Sequence, residues 1–261
     1  MSADLVLAER RGPVLLLTLN RPERLNAWTQ ALEVEYFGLL ERAEADPDVR
    51  AVVVTGAGRG FCAGADMDDL RRVTDEGSGA VAAPPRLHRT YPMTLRVPLV
   101  AAINGPAAGL GLVQALFCDV RFCTPEAKLT TSFARRGLVA EYGAAWLLPR
   151  LVGVSTALDL LMSGRVVLGE EAGRLGLVDR VVAPGDLVGA AVAYATDLAE
   201  NCSPWAMATI KAQVLRGLDQ DFHTAVAESD ALMLSSFDGP DVTEGVRSYL
   251  ERRPPAFAPL V

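Results

Sequence analysis

Glu141 is a carboxylate set in an apolar stretch, SFARRGLVAEYGAAWLLPRLVG (132–153), at the apparent start of a helix. Desolvation by Leu138, Val139, Ala140 and Trp146 would raise its pKa toward the operating pH and suit it to general base catalysis. The other use of such a group is structural. It can satisfy first-turn N–H groups or pair with Arg135, Arg136 or Arg150. The rest of the chain has to decide between the two.

Two small-residue turns supply the complementary chemistry. CAGAD (62–66) and GPAAGLG (105–111) each follow a strand-like run and precede a helical one. Each leaves backbone N–H groups unpaired at a helix start, where the helix dipole favours negative charge. Two such donors converging on one point would form an oxyanion hole, and small side chains would let the ligand approach the backbone itself. Two ordinary tight turns in an α/β core would be spelled the same way.

Other site chemistries fare worse. There is no GxSxG, no GxxxxGK[ST] and no HExxH, and only His88 and His223 could serve a Ser-His-Asp triad. TGAGRGFCAGADM (55–67) has a GxG at Gly56 and Gly58. Phe61 stands where the third glycine of a dinucleotide fingerprint belongs, and no strand-ending acid follows at the right distance, so nicotinamide binding is disfavoured. The four cysteines (Cys62, Cys118, Cys123, Cys202) form no CxxC pair, suggest no metal site and read as reduced core thiols.

Positioning these residues falls to alternating strands and helices. Strands are expected at 14–20, 50–56, 98–105, 119–124 and 128–132. Helices are expected at about 30–45, 67–73, 86–95 and 110–118. On 30–45 the spacing puts Leu32, Tyr36, Phe37, Leu40 and Ala43 on one side. This alternation predicts an α/β layered core. DEGSGAVAAPP (75–85) reads as a mobile loop. From about residue 155 helices dominate. One closes at Gly164, one opens at Ser203-Pro204, and one opens at Asp241 with Glu244 in a capping-box pattern.

A chain of 261 residues, half of them hydrophobic, can bury a sizeable core without disulfides. Its net charge of −7 disfavours nucleic acid as a partner. The run 99–120 is interrupted by Asn104, Pro106, Gln114 and three glycines. It reads as strand, turn and buried helix rather than a membrane span. With no signal-like N-terminus, a cytoplasmic protein is expected.

Five blocks in order resemble the crotonase (enoyl-CoA hydratase/isomerase) superfamily: LNRPERLNAW (19–28), VVVTGAGRGFCAGADM (52–67), PLVAAINGPAAGLG (98–111), GRVVLGEEAGRLGLVDRVV (164–182) and YLERRPPAF (249–257). The resemblance implies a crotonase-like spiral of repeated ββα units over residues 1–199. It also implies a helical C-terminal trimerisation segment over 200–261, in a homotrimer or hexamer. The oxyanion donors would be the N–H groups of Ala65 and Leu110, the leucine being a departure from a common glycine. Coenzyme A, carried as part of an acyl-CoA substrate, would meet Arg24, Leu25, Ala27, Ala63, Asp66 and Met67, with no separate cofactor and no metal.

The family's hydratases use two glutamates, and those positions fall on Val113 and Phe133, neither of which can transfer a proton. Glu141 falls where the family's dienoyl-CoA isomerases carry a catalytic acid. The expected activity is therefore enoyl-CoA isomerisation through a single base. Hydration with a non-standard acid and a non-catalytic acyl-CoA binder are the rival readings. Asp68 and Asp69 are expected on a solvated helix face, His88 at the surface or the mouth of an acyl tunnel, and Phe133 and Trp146 as walls.

Overall fold

The computed structural model describes residues 4–77 and 88–260. A six-stranded sheet forms the centre, with spatial order β1 (Val6–Arg11), β2 (Val14–Leu19), β3 (Ala51–Gly56), β4 (Leu99–Ile103), β6 (Val120–Cys123) and β9 (Arg180–Val181). Only β1–β2 is antiparallel; the remaining pairs are parallel. A small second sheet joins β5 (Ala107–Ala108), β7 (Lys128–Thr130) and β8 (Val167–Leu168).

Parallel strands covered on both faces bury both sets of alternating side chains, and two cores follow from that period of two. Leu17, Leu19, Val52, Val54, Leu99, Ala101 and Ile103 face the larger core. Their neighbours Val14, Leu16, Ala51, Val53, Val100 and Ala102 face the smaller one, closed by Leu187, Ala191 and Ala195 of α8 (Leu187–Asn201).

Helix α1 (Gln30–Ala45) packs into the larger core, started by Thr29, whose Oγ1 accepts from the Leu32 amide at 3.2 Å. The expected stripe is buried, and Glu33 is buried with it. Helices α2 (Met67–Glu76), α3 (Tyr91–Thr94), α4 (Leu110–Leu116), α5 (Ala144–Val152), α6 (Val154–Ser163) and α7 (Gly169–Leu175) complete the core region. Beyond α8 come α9 (Pro204–Gly217), α10 (Phe222–Phe237) and α11 (Pro240–Glu251). Among the described residues no helix is long and apolar enough to cross a membrane.

Several expectations hold closely. The helix at 30–45 has the stated limits, Gly164 closes α6 in the left-handed conformation, and Ser203 caps α9 through the Ala206 amide at 3.0 Å. Others are corrected. The segment expected as a helix over 86–95 is helical only at Tyr91–Thr94 among its described residues, because His88, Arg89 and Thr90 form a turn in which the Tyr91 amide donates to the His88 carbonyl at 2.8 Å. Helix α11 has no capping box. Asp241 accepts instead from the Ser203 hydroxyl, and Glu244 is taken by Arg253 and the Ala256 amide. The loop expected over 75–85 ends α2 at Glu76 and Gly77; residues 78–85 lie outside the described residues.

Candidate active site

The chain leaves β3 and turns back on itself before reaching Ala65. Asn26 holds this turn, its side-chain amide donating to the carbonyls of Ala57 (3.0 Å) and Gly60 (2.8 Å). Trp28 then pairs with the loop as a short parallel bridge. Its amide donates to the Gly64 carbonyl at 2.7 Å, and its carbonyl accepts from the Asp66 amide at 2.9 Å. Alternate groups along an extended segment face opposite ways. With Gly64 and Asp66 engaged on Trp28, the N–H of Ala65 between them is directed to the other side.

The second loop is fastened to the first. The Ala108 amide donates to the Cys62 carbonyl at 3.0 Å, and the Gly109 amide to the Thr130 carbonyl at 2.9 Å. Gly109, at φ +49°, turns the chain into α4, whose first residue is Leu110. Among the described residues neither the Ala65 nor the Leu110 amide has a protein acceptor. The Leu110 side chain is buried in the larger core and does not engage its own N–H.

Glycines permit this closeness. A Cβ on Gly64, at φ +92°, would lie 2.6 Å from the Ala108 carbonyl oxygen and 3.7 Å from the Leu110 nitrogen. A Cβ on Gly111 would lie 2.3 Å from the Cys62 carbonyl oxygen. The sulfur below is equally enclosed: burial pushes the Cys62 thiol up to about 12.

Ala65, Leu110 and Glu141 line one cavity of about 50 Å³, together with Gly64, Gly109 and Phe133 and a rim that includes Leu70, Arg136 and Leu138. That space suits a carbonyl group and its immediate neighbours rather than a long chain. It is far from the largest hollow in the molecule; an apolar groove of about 480 Å³ lies under α9. The smaller cavity is the better site because the unpaired amides and the carboxylate converge there.

Glu141 is half-buried and stands three residues before α5, not on it. Burial raises its pKa above the usual carboxylate value, with Arg89 pulling the other way. Leu138 supplies part of that burial, whereas Val139 is 79% exposed and shields nothing. None of the arginines expected as structural partners takes it. Arg135 donates to the Ser163 carbonyl at 2.7 Å, and Arg136 to the Ser132 carbonyl at 3.3 Å. Arg150 lies on the Trp146 ring, 3.9 Å from its centroid. Arg89, the cation that does act on it, carried no signal in sequence beyond its place beside His88. His88 itself is exposed, its Nδ1 2.8 Å from the Thr90 hydroxyl.

Of the residues expected to meet coenzyme A, Ala63 lines the cavity, and hydrogen bonds tie several of the others together beside it. The Ala63 amide donates to the Leu25 carbonyl at 2.9 Å. Arg21 bridges the Ala27 carbonyl (2.6 Å) to the Asp66 carboxylate (2.9 Å). Asp66 is 5% exposed and its other oxygen caps α2 at the Asp68 amide, 3.0 Å away, so its visible work is structural. Met67 is 59% exposed, and Arg24 is exposed with a 3.4 Å contact to Asp68. Asp69 pairs with Arg72 at 3.6 Å, completing the solvated face of α2. Val113 and Phe133 are buried and apolar. No cluster able to hold a metal ion occurs among the described residues.

The family model described as enoyl-CoA hydratase/isomerase matches residues 9–259. A putative enoyl-CoA hydratase of Thermus thermophilus is 37% identical, covering 95% of this chain and 98% of its own. The 1,2-epoxyphenylacetyl-CoA isomerase of Escherichia coli is 33% identical over 97% of this chain and 98% of its own. Among solved structures, an enoyl-CoA hydratase from Polaromonas sp. JS666 superposes with a TM-score of 0.90 at 29% identity, covering 97% and 99%. The α/β architecture is the one these enzymes share.

Proposed function

The chain belongs to the enoyl-CoA hydratase/isomerase family, and from that membership we propose an acyl-CoA enzyme that isomerises an enoyl-CoA through a thioester enolate, with Glu141 as its single base. The thioester oxygen sits between the Ala65 and Leu110 amides. Glu141 removes a proton from C2, and negative charge grows on the oxygen that the two N–H groups face. The same carboxyl group then returns the proton at C4. Each oxyanion donor of this kind is worth about 2.7–4 kcal/mol in the transition state, and a placed base roughly 10²–10⁴-fold.

One observation carries the reading: two acceptor-free amides and one desolvated carboxylate line the same small cavity. A raised pKa supports it, because a base near the operating pH both accepts and returns a proton readily. Val113 and Phe133, at the positions where the resemblance puts the hydratase glutamates, offer water no second acid. The isomerase named among the relatives is compatible with this. Coenzyme A enters as part of the substrate, past Arg24, Leu25, Ala27, Ala63, Asp66 and Met67.

Deuterium exchange at C2 over a panel of acyl-CoA thioesters tests the assignment. Glu141→Gln is expected to lose exchange and isomerisation by at least about 10²-fold while acyl-CoA still binds. Retained exchange in that variant removes Glu141 as the base. Rapid formation of 3-hydroxyacyl-CoA by the parent favours hydration instead.

A further inference from the structure

We propose that Arg89, gripped by the buried carboxylate of Glu33, is the positioning residue for Glu141, and that it acts by pinning Tyr142. This rests on Glu141 being the base.

Glu141 and Tyr142 open a tight turn closed by the Ala144 amide, which donates to the Glu141 carbonyl at 2.9 Å. Both central residues have positive φ, +50° at Tyr142 and +79° at Gly143, the pattern of a type I′ turn. Glycine suits that region; a tyrosine in it is an outlier that its surroundings must hold in place. Arg89 provides the hold. Its guanidinium donates to the Tyr142 hydroxyl and lies over the Tyr142 ring, 4.7 Å from the centroid.

The guanidinium is itself fixed from behind. Its Nε donates to Glu33 Oε2 at 2.5 Å, and the same oxygen accepts from the Trp28 indole at 2.7 Å. Glu33 is fully buried in the first turn of α1, and its other oxygen has no hydrogen-bond partner among the described residues. A buried carboxylate needs a charge partner, and among the described residues Arg89 is the one paired with Glu33. Trp28 belongs to this chain of contacts and also holds the Ala65 loop, so oxyanion donor and base are referred to one buried carboxylate.

Among the described residues the charged and titratable groups around Glu141 are few. Arg89 faces it from the segment before α3, with Glu33 of α1 behind, and Tyr142 sits beside it. Arg136 lies on the cavity rim, while α2 and α4 contribute only Leu70 and Leu110 to the lining. Removing Arg89 alone would strand the Glu33 charge, so two other variants make the test. Tyr142→Phe deletes only the hydroxyl contact. Glu33→Gln with Arg89→Gln neutralises both members of the buried pair.

Tyr142→Phe is expected to lower kcat roughly tenfold or more, since a small displacement of a reacting group is costly, with KM changed less than about twofold. In the double variant the Glu141 carboxyl, followed by ¹³C NMR titration and assigned by its loss in Glu141→Gln, is expected to titrate at higher pH because burial remains and the cation is gone. Parent-like kcat in Tyr142→Phe, with Glu141→Gln inactive, overturns the positioning role. An unmoved Glu141 titration in the folded double variant overturns it too. The titration needs no turnover, so a wrong base assignment and a wrong positioning assignment give separate results.

Discussion

At Gly64 the left-handed φ of +92° and the adjacent Ala108 carbonyl exclude even a methyl group. Gly64→Ala is therefore expected to splay the two loops and cost roughly 10²–10³ in kcat, with acyl-CoA affinity largely kept; isothermal binding beside steady-state kinetics checks it. Glu141 carries a second, opposite expectation. Its folded-state pKa is raised by burial against the pull of Arg89, so its ionised form disfavours the fold as pH rises through that value. Glu141→Gln should accordingly melt higher than the parent at neutral and alkaline pH, with the gap closing below the usual carboxylate range. Equal melting temperatures across that range would contradict the burial. Much of this site was legible: glycine turns and a lone carboxylate in apolar sequence carry local signals. Arg89 and Glu33 were not, because an ion pair spanning 56 positions leaves no periodic trace, and Glu33 on the buried stripe of α1 looks like any first-turn acid.

Helix α2 shows how an element can be anchored at one end. None of its residues is fully buried, and Asp66 fixes its start through the Asp68 amide and Arg21. Burial pushes the Asp66 carboxyl up, but the Asp68 amide and Arg21 together hold it below the ordinary value. Its contribution to stability is thus present above the usual carboxylate range and lost as pH falls through the lowered value. Asp66→Ala should remove a cap worth about 1 kcal/mol and lower Tm by roughly 2–4 °C or more. The difference should shrink in acid, as calorimetry over a pH series would record. The main elements were readable because buried parallel strands and the α1 stripe have strong periods. The edge strand β1 was missed: after Val6 its residues are all exposed, and a strand without a buried face gives no alternation. The capping box on α11 failed for another reason, since Asp241 and Glu244 bond to groups distant in sequence.

Over the whole molecule, apolar surface concentrates on the last three helices. Phe222 is 76% and Tyr249 82% exposed, and no residue of α10 is buried. Apolar patches of this kind mark association surfaces, and the homotrimer or hexamer that the family resemblance implies would place the 27.8 kDa chain at three or six times its mass in light scattering. Paired charges at Leu234 and Phe237 should reduce that mass, and a monomeric parent would refute the expectation. A different consequence comes from the sulfur under the two joined glycine loops. Cys62 is fully enclosed and, with a pKa near 12, holds almost no thiolate at neutral pH, so an alkylating reagent cannot touch it while the loops stay joined. Its labelling, mapped by mass spectrometry apart from the more accessible Cys202, becomes a clock for how often the two loops come apart.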